Sequence, residues 1–311
     1  MKEIASIDIG SNTVRLLILQ VADDGSIQQT DSLRVITRLG EGMESYQCLS
    51  PKRMEDTLDA LCIFRDKCAD RGEIPIHAVA TSAVREAKNR IEFLQLAKQR
   101  TGIDIEVIPW EKEAELTLEG VFWKLPLQDK KIVVFDIGGG STEFILSQGK
   151  NIDSVCGTSL GVVRLTEKFI TRHPVDEGEY AALVSHIQAE LSLVREKLSA
   201  FSPEAVIGTA GTVTTLAALD VDMYPYNPEK IHGTVLPLER ILELQDQLKQ
   251  KSLEERLKWR ALEKGREDLI IAGSALVIQT LLAFECDFLT VSEYSLREGI
   301  ILKALAEHSV G

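Results

Sequence analysis

The sequence predicts an α/β protein built from two similar halves. Three observations carry that prediction. Short apolar runs alternate with segments of helical periodicity along the whole chain. The opening run, Ile4-Ala5-Ser6-Ile7-Asp8-Ile9-Gly10-Ser11, is matched 128 residues later by Ile132-Val133-Val134-Phe135-Asp136-Ile137-Gly138-Gly139. The length of 311 residues, at roughly 150 per domain, suits two domains. The expected division is 1–128 and 129–311, with the C-terminal helix free to pack back on the first domain.

Each half opens as a hairpin. Ile4–Ile9 and Val14–Val21 are strands rich in branched aliphatics, joined by Gly10-Ser11-Asn12-Thr13. A third strand follows near Ser32–Arg38. Ser50 and Pro51 then start a helix as N-cap and first helical residue. Met54, Leu58, Leu61, Cys62 and Arg65 continue it at helical spacing, and Gly72 ends it. Ile76–Ala80 and Asp104–Ile108 read as strands. Asn89–Arg100, stopped by Gly102, and Glu111–Phe122 read as helices. The second half repeats the start with strands at Ile132–Ile137 and Thr142–Leu146, around Gly138-Gly139-Gly140-Ser141. A strand at Ile152–Cys156 and helices at Val162–Arg172 and Glu177–Leu198 come next. Ala205–Ile207 is a buried strand leading into a helix at Val213–Leu219. Met223–Gly233 is expected as a loop. Pro237–Gln250, Asp268–Phe284 and Leu296–His308 are helices, with Phe288–Val291 a strand between the last two.

Composition narrows the function. Apolar residues make up 44% and charged residues 27%, as in ordinary globular proteins. No run of about 18 apolar residues occurs, which argues against a transmembrane helix. Met1-Lys2-Glu3-Ile4 reaches an acid at once, so no signal peptide is expected and the chain is placed in the cytoplasm. The net charge of −13 argues against broad nucleic-acid or membrane-surface binding. A phosphate ligand would therefore need local help from backbone N–H groups, a metal ion or a few arginines. The five cysteines are odd in number and form no C-x-x-C, and read as reduced apolar fillers. The scattered histidines give no zinc motif.

Several segments have the chemistry of an anion site. In Asp136-Ile137-Gly138-Gly139-Gly140-Ser141-Thr142-Glu143, three glycines let backbone N–H groups approach an anion, and two carboxylates flank them. Asp136 and Glu143 could hold a hydrated Mg²⁺. A strand rather than a helix follows, which excludes a dinucleotide fingerprint. Asp8-Ile9-Gly10-Ser11-Asn12-Thr13-Val14-Arg15 reads alone as an ordinary hairpin. As the partner of the first motif it becomes the opposite wall of one cleft. Gly208-Thr209-Ala210-Gly211-Thr212 joins a strand to a helix N-terminus, a place for anions. Thr81-Ser82-Ala83-Val84-Arg85 follows a strand end, where Arg85 suits bidentate phosphate contact. Glu111-Lys112-Glu113-Ala114-Glu115 reads on spacing alone as dipole complementarity at a helix start. Gly157-Thr158-Ser159-Leu160-Gly161 fits a nucleophile elbow, but no oxyanion motif accompanies it and a serine hydrolase is set aside.

Taken in order, these segments resemble the exopolyphosphatase / guanosine pentaphosphate phosphatase family, a branch of the actin, sugar kinase and heat-shock chaperone ATPase group. The resemblance covers nearly the whole chain. It rests on Asp8–Asn12, Thr81–Arg85 with Asn89, Glu113-Ala114, Asp136–Glu143, Ser159–Thr166, Gly208–Thr212, His232-Gly233 through Pro237, and Ser292–Gly299. It implies two duplicated actin-like (ribonuclease H-like) domains with an interdomain cleft. It further implies an Mg²⁺-dependent exopolyphosphatase that releases terminal orthophosphate from inorganic polyphosphate. The alternatives are a 5′-phosphohydrolase acting on pppGpp and a weakly catalytic sensor of pppGpp or polyphosphate. A nucleotide-dependent kinase or ATPase switch on the same fold is disfavoured by Glu113. A homodimer is common on this fold.

By the same resemblance, Glu113 orients or deprotonates the attacking water. Asp8, Asp136 and Glu143 surround Mg²⁺. Gly138, Gly139, Gly140, Ser141, Gly208 and Thr209 cradle phosphate, and Ser11, Asn12 and Arg85 line the terminal-phosphate site. Lys112 stands where the family often has a second glutamate. Phosphoryl transfer needs mainly positioning and charge neutralisation. An ordinary Glu, at pKa ~4.3, is a poor base for water, so positioning or late proton acceptance is the expected role of Glu113.

Overall fold

Residues 2–125, 129–198 and 202–309 are described in the computed structural model of the chain. Two units emerge, one formed by Met1–Gly120 with Leu296–Gly311 and the other by Val121–Ser295. The two units divide between Gly120 and Val121, and the position expected for the boundary, residue 128, lies outside the described residues.

The first unit runs β1 (Lys2–Ile9), β2 (Thr13–Val21), β3 (Ile27–Ile36), α1 (Met43–Tyr46), α2 (Pro51–Ala69), β4 (Ile76–Ala80), α3 (Ser82–Glu86), α4 (Arg90–Thr101), β5 (Ile105–Val107) and most of α5 (Trp110–Lys124). Among the described residues its strands form a five-stranded sheet ordered β3-β2-β1-β4-β5. β1 is antiparallel to β2 and parallel to β4. Such a mixed sheet needs helices over its faces, and α2 and α4 supply one layer. Ile7, Ile9, Leu16 and Ile18 of the sheet share a core with Leu58, Leu61, Phe64 and Phe93. The Ser50 side chain accepts from the Arg53 N–H and Pro51 occupies the first turn. Such a cap is worth ~1 kcal/mol. β3 begins five residues before the strand expected at Ser32. Its Gln28-Gln29-Thr30 stretch is exposed and gives no apolar signal, yet it pairs with β2 past a register shift at Ile18/Leu19.

The second unit continues with β6 (Lys131–Ile137), β7 (Thr142–Gln148), β8 (Asn151–Thr158), α6 (Val162–Phe169), α7 (Glu177–Lys197), β9 (Ala205–Thr209), α8 (Ala210–Asp220), α9 (Pro228–Ile231), β10 (Val235–Pro237), α10 (Leu238–Lys249), α11 (Leu253–Arg256), α12 (Ile270–Ala283) and β11 (Phe288–Val291). Its sheet is ordered β10-β11-β9-β6-β7-β8. Phe144 lies between Phe135 and Phe284, with ring centroids 6.4 and 6.2 Å apart. α12 is apolar on nearly all sides and sits inside this core. The expected loop at Met223–Gly233 contains α9, capped by Asn227. β10 precedes α10 where a helix was expected to start at Pro237. Its three residues are too few for periodicity to register. The last helix, α13 (Leu296–Ser309), belongs to the first unit.

The internal repeat extends to the sheet order. β3-β2-β1-β4-β5 of the first unit corresponds to β8-β7-β6-β9-β11 of the second, with β10 added at the edge. Both opening hairpins close by the same bond, Gly10 N–H to Thr13 O at 3.1 Å and Gly138 N–H to Ser141 O at 2.9 Å. In register, Asp8 faces Arg15 and Asp136 faces Glu143.

A buried charge in the second unit predicts a pH effect. The fully buried Arg256 donates to the Leu248 and Glu267 carbonyls and lies 3.0 Å from His173 Nδ1. Burial, then the Arg256 charge, hold the His173 pKa below its ordinary 6.5, outweighing Asp268 and Glu179. The unfolded chain therefore takes up a proton near pH 6.5 that the folded chain still refuses, and stability falls as pH drops below that point. Thermal melts from pH 7.5 to 5 should show a falling Tm, with a flatter profile in His173→Gln.

Candidate active site

In the first unit the expected residues gather at the ends of β1 and β4 and at the start of α5. Asp8 lies next to the end of β1. Burial pushes its carboxyl pKa up, opposed by Arg15 and then Arg297, while Glu298 adds to the rise. Ser11 and Asn12 form the hairpin turn and are buried. The Ser11 carbonyl accepts from Gly40 N–H at 2.7 Å, and the Asn12 carbonyl from Thr37 and Arg38 N–H at 3.1 and 3.0 Å. The segment after β3 thus fixes the turn from behind. Asn12 donates its amide to Thr13 Oγ1 at 3.3 Å, and its buried Oδ1 has no protein partner.

Arg85 lies on α3, a short helix where a strand-end turn was expected. Its Nη1 donates to Glu113 Oε2 at 2.7 Å and to the Ile108 carbonyl at 3.0 Å. Its guanidinium sits 5.4 Å from the Trp110 ring centroid. Glu113 is in the first turn of α5 and is 7% exposed. The two side chains form a largely buried ion pair, where the charge-assisted bond fixes the carboxylate geometry. Arg85 Nη2 is buried without a protein partner, a remaining donor for a ligand oxygen. Lys112, one residue before Glu113, is 4.0 Å from Glu115 and is partly exposed.

In the second unit, the Gly138–Ser141 turn rests on the N-terminus of α6. Val162 N–H donates to the Gly138 carbonyl at 3.0 Å and Val163 N–H to the Gly139 carbonyl at 2.9 Å. In a trans peptide the next N–H points opposite its carbonyl. The N–H groups of Gly139 and Gly140 are therefore turned away from α6. The close approach needs Gly161, where a Cβ would lie 2.2 Å from the Gly140 carbonyl carbon and 2.3 Å from Gly139 O. Ser141 is buried in the same turn. The elbow-like segment at 157–161 thus serves the glycine loop, with Thr142 donating to the Leu160 carbonyl and Thr158 to the Thr142 carbonyl.

Asp136 and Glu143 stand directly opposite across β6 and β7, so their side chains share one face beside that turn. Glu143 is buried and Asp136 partly so. Among the described residues, no group of three or more His, Cys, Asp or Glu forms a cage for a metal. Two hard oxygen donors suit Mg²⁺, which keeps several waters and takes one or two carboxylates. The donor set at Asp136 and Glu143 fits that ion. Asp8, paired with Arg15, is the less suited carboxylate.

Thr209 is the N-cap residue of α8 and is next to Asp136 in the parallel β6–β9 register. Its hydroxyl donates to the Tyr294 carbonyl at 3.5 Å instead of capping the helix. Tyr294 is set edge-on to Trp123 and His232, at 5.1 and 4.7 Å. Gly208 has a packing duty: a Cβ there would meet Phe135, Val213 and Leu289 within 3.0 Å. Sequence reading missed Trp110 as the floor under Arg85 and the Ile108 carbonyl as its second acceptor. Neither contact has a spacing signature.

A helix-backed glycine turn, a cross-strand carboxylate pair and an Arg-held glutamate are each suited to the positioning and charge neutralisation that phosphoryl chemistry needs. The chain belongs to the Ppx/GppA phosphatase family, whose profile matches residues 17–308. Members of that family are phosphoanhydride hydrolases, and this chain is one by membership. Among curated relatives, Exopolyphosphatase 2 of Mycobacterium tuberculosis is 30% identical over 97% of this chain and 98% of its own length. The guanosine-5′-triphosphate,3′-diphosphate pyrophosphatase of Vibrio vulnificus is 28% identical over 97% of this chain and 59% of its own length. A crystal structure of the Aquifex aeolicus Ppx/GppA family member matches with TM-score 0.84 and 35% identity, covering 99% of this chain and 98% of that one. An exopolyphosphatase from Cytophaga hutchinsonii matches with TM-score 0.92 and 28% identity, covering 98% of each chain. No helix among the described residues is long and apolar enough to cross a membrane.

Proposed function

We propose that the protein is an Mg²⁺-dependent exopolyphosphatase, releasing orthophosphate from the end of inorganic polyphosphate in the cytoplasm. The observation that carries the reading is the Arg85–Glu113 pair, which holds a buried carboxylate in one orientation. A fixed carboxylate suits the alignment of water, the acceptor that separates a hydrolase from a kinase on a similar frame. Similarity to the Mycobacterium exopolyphosphatase over nearly all of both chains supports polyphosphate as substrate. Similarity to the Vibrio pyrophosphatase makes pppGpp the alternative.

In this reading Glu113 orients water in line with the terminal phosphorus and accepts its proton late. Arg85 holds Glu113 through Nη1 and offers Nη2 to a phosphate oxygen. Ser11 and Asn12 supply further polar groups for the terminal phosphate. The Gly139 and Gly140 N–H groups, with Gly138 and Ser141 shaping the turn, bind phosphate oxygens. Thr209 and Gly208 set the neighbouring strand-to-helix turn. Asp136 and Glu143 would hold Mg²⁺, with Asp8 a secondary carboxylate. When bound, the ion neutralises charge on the phosphoanhydride. The test is phosphate release with Mg²⁺ from long polyphosphate, short polyphosphate, pppGpp and ATP in parallel. Release chiefly from polyphosphate, lost on chelation by EDTA, is the expected result. Release chiefly from pppGpp would transfer the protein to the alternative, and release from none would reject both.

A further inference from the structure

We propose that Gly299 is a positioning residue for Glu113, acting through the backbone of α5. The inference rests on the reading of Glu113 as the group that orients water.

Gly299 lies in the first turn of α13, and that turn touches α5 directly. A Cβ on Gly299 would fall 1.7 Å from the Leu116 carbonyl oxygen and 2.6 Å from its carbon. The obstacle is backbone, so no side chain can swing aside. Leu116 is one helical turn beyond Glu113. Restoring an ordinary contact of about 3.4 Å means moving one helix by more than about 1 Å.

α13 is poorly placed to yield. Ser6 of β1 donates its hydroxyl to the Arg297 carbonyl at 2.9 Å. Arg297 Nη1 donates to Ser32 of β3 at 3.1 Å and its Nη2 lies 3.3 Å from Glu298. Leu296 and Ile300 pack with Val79, Ile108 and Leu116 in one buried cluster. The same Ile108 offers its carbonyl to Arg85. The first turn of α13 is therefore tied to the central strand on one side. On the other it abuts the helix that carries Glu113. The glycine makes the separation of these helices small and fixed, and that separation sets the depth of α5 beneath Arg85. A misplacement near 1 Å at a reacting group can cost about 10²-fold in rate.

The test is a double-mutant cycle in phosphate release from polyphosphate, with thermal melts on each variant. Gly299→Ala is expected to lower kcat at least tenfold with little change in KM while the protein still melts cooperatively. In a Glu113→Gln background the same change is expected to cost less than twofold, because the group it displaces has already been disabled. Should Gly299→Ala not fold, Ser6→Ala loosens the same turn without adding bulk. It should cost threefold or more in kcat, again only when Glu113 is present. Full kcat in Gly299→Ala, or losses that multiply in the double variant, would overturn the inference and leave the role of Glu113 standing. Full turnover in Glu113→Gln alone would overturn that role, and the inference with it.

Discussion

Glu113→Gln lowers kcat by about 10²–10⁴-fold while KM changes little, the range expected when a positioned carboxylate stops handling a proton. The substitution is a mild one structurally. Glutamine has the same length, and its amide oxygen can still accept from Arg85 Nη1, now 2.7 Å from Glu113 Oε2. Glu113 itself is 7% exposed, so few other acceptors stand beside it to replace the lost carboxylate. What disappears is the negative charge that orders water. Steady-state phosphate release with a melting curve for each protein checks the prediction. Unchanged kcat would remove Glu113 from the mechanism. A raised KM at unchanged kcat would make it a substrate-binding group instead.

Gly161→Ala should cost about 10²-fold in kcat/KM through the glycine turn, given how steeply rate depends on placement. The added methyl would overlap backbone atoms of Gly139 and Gly140 at 2.2–2.4 Å, and neither helix nor loop has a flexible side chain to give way. The turn must lift off α6, losing the Val162 and Val163 bonds to its carbonyls. With those carbonyls released, the opposite N–H groups lose their fixed aim. Gly178→Ala is the control: its Cβ would meet only a side-chain oxygen of Asp176, at 3.0 Å. Full activity in Gly161→Ala would mean that the turn does not bind phosphate as read.

Much of the fold was legible in the sequence, because strong local signals agreed with long-range pairing. The strand-Asp-x-Gly repeat at Asp8 and Asp136 announced two related sheets, and their strand orders correspond. Ser50-Pro51 and Gly102 marked helix ends that hold in the structure. What escaped notice had weak local signals. The first half of β3 is polar and exposed and owes its strand state to pairing with β2. α3 is five residues long, below the reach of helical periodicity. In the site, residue types around the glycines and carboxylates suggested phosphate chemistry from their own turns. The backing of the glycine turn by α6 was hidden, since Gly161 looked like part of a hydrolase elbow and its duty depends on Gly140 and Gly139, 21 and 22 residues earlier. The role of α13 was hidden for the same reason: Gly299 meets Leu116 across most of the chain length.

The two hairpins also differ at one equivalent position. Arg15 answers Asp8 across the strands of the first, and Glu143 answers Asp136 in the second. A repeated unit has thus broken its symmetry with a single side chain of opposite sign. In the first copy the Arg15 charge draws the Asp8 carboxyl pKa down against the burial that raises it. In the second copy the same place holds a second carboxylate, on the face of the sheet that carries Asp136. The copies are therefore not interchangeable at this position: exchanging Arg15 and Glu143 would set two carboxylates side by side at Asp8 and a guanidinium beside Asp136.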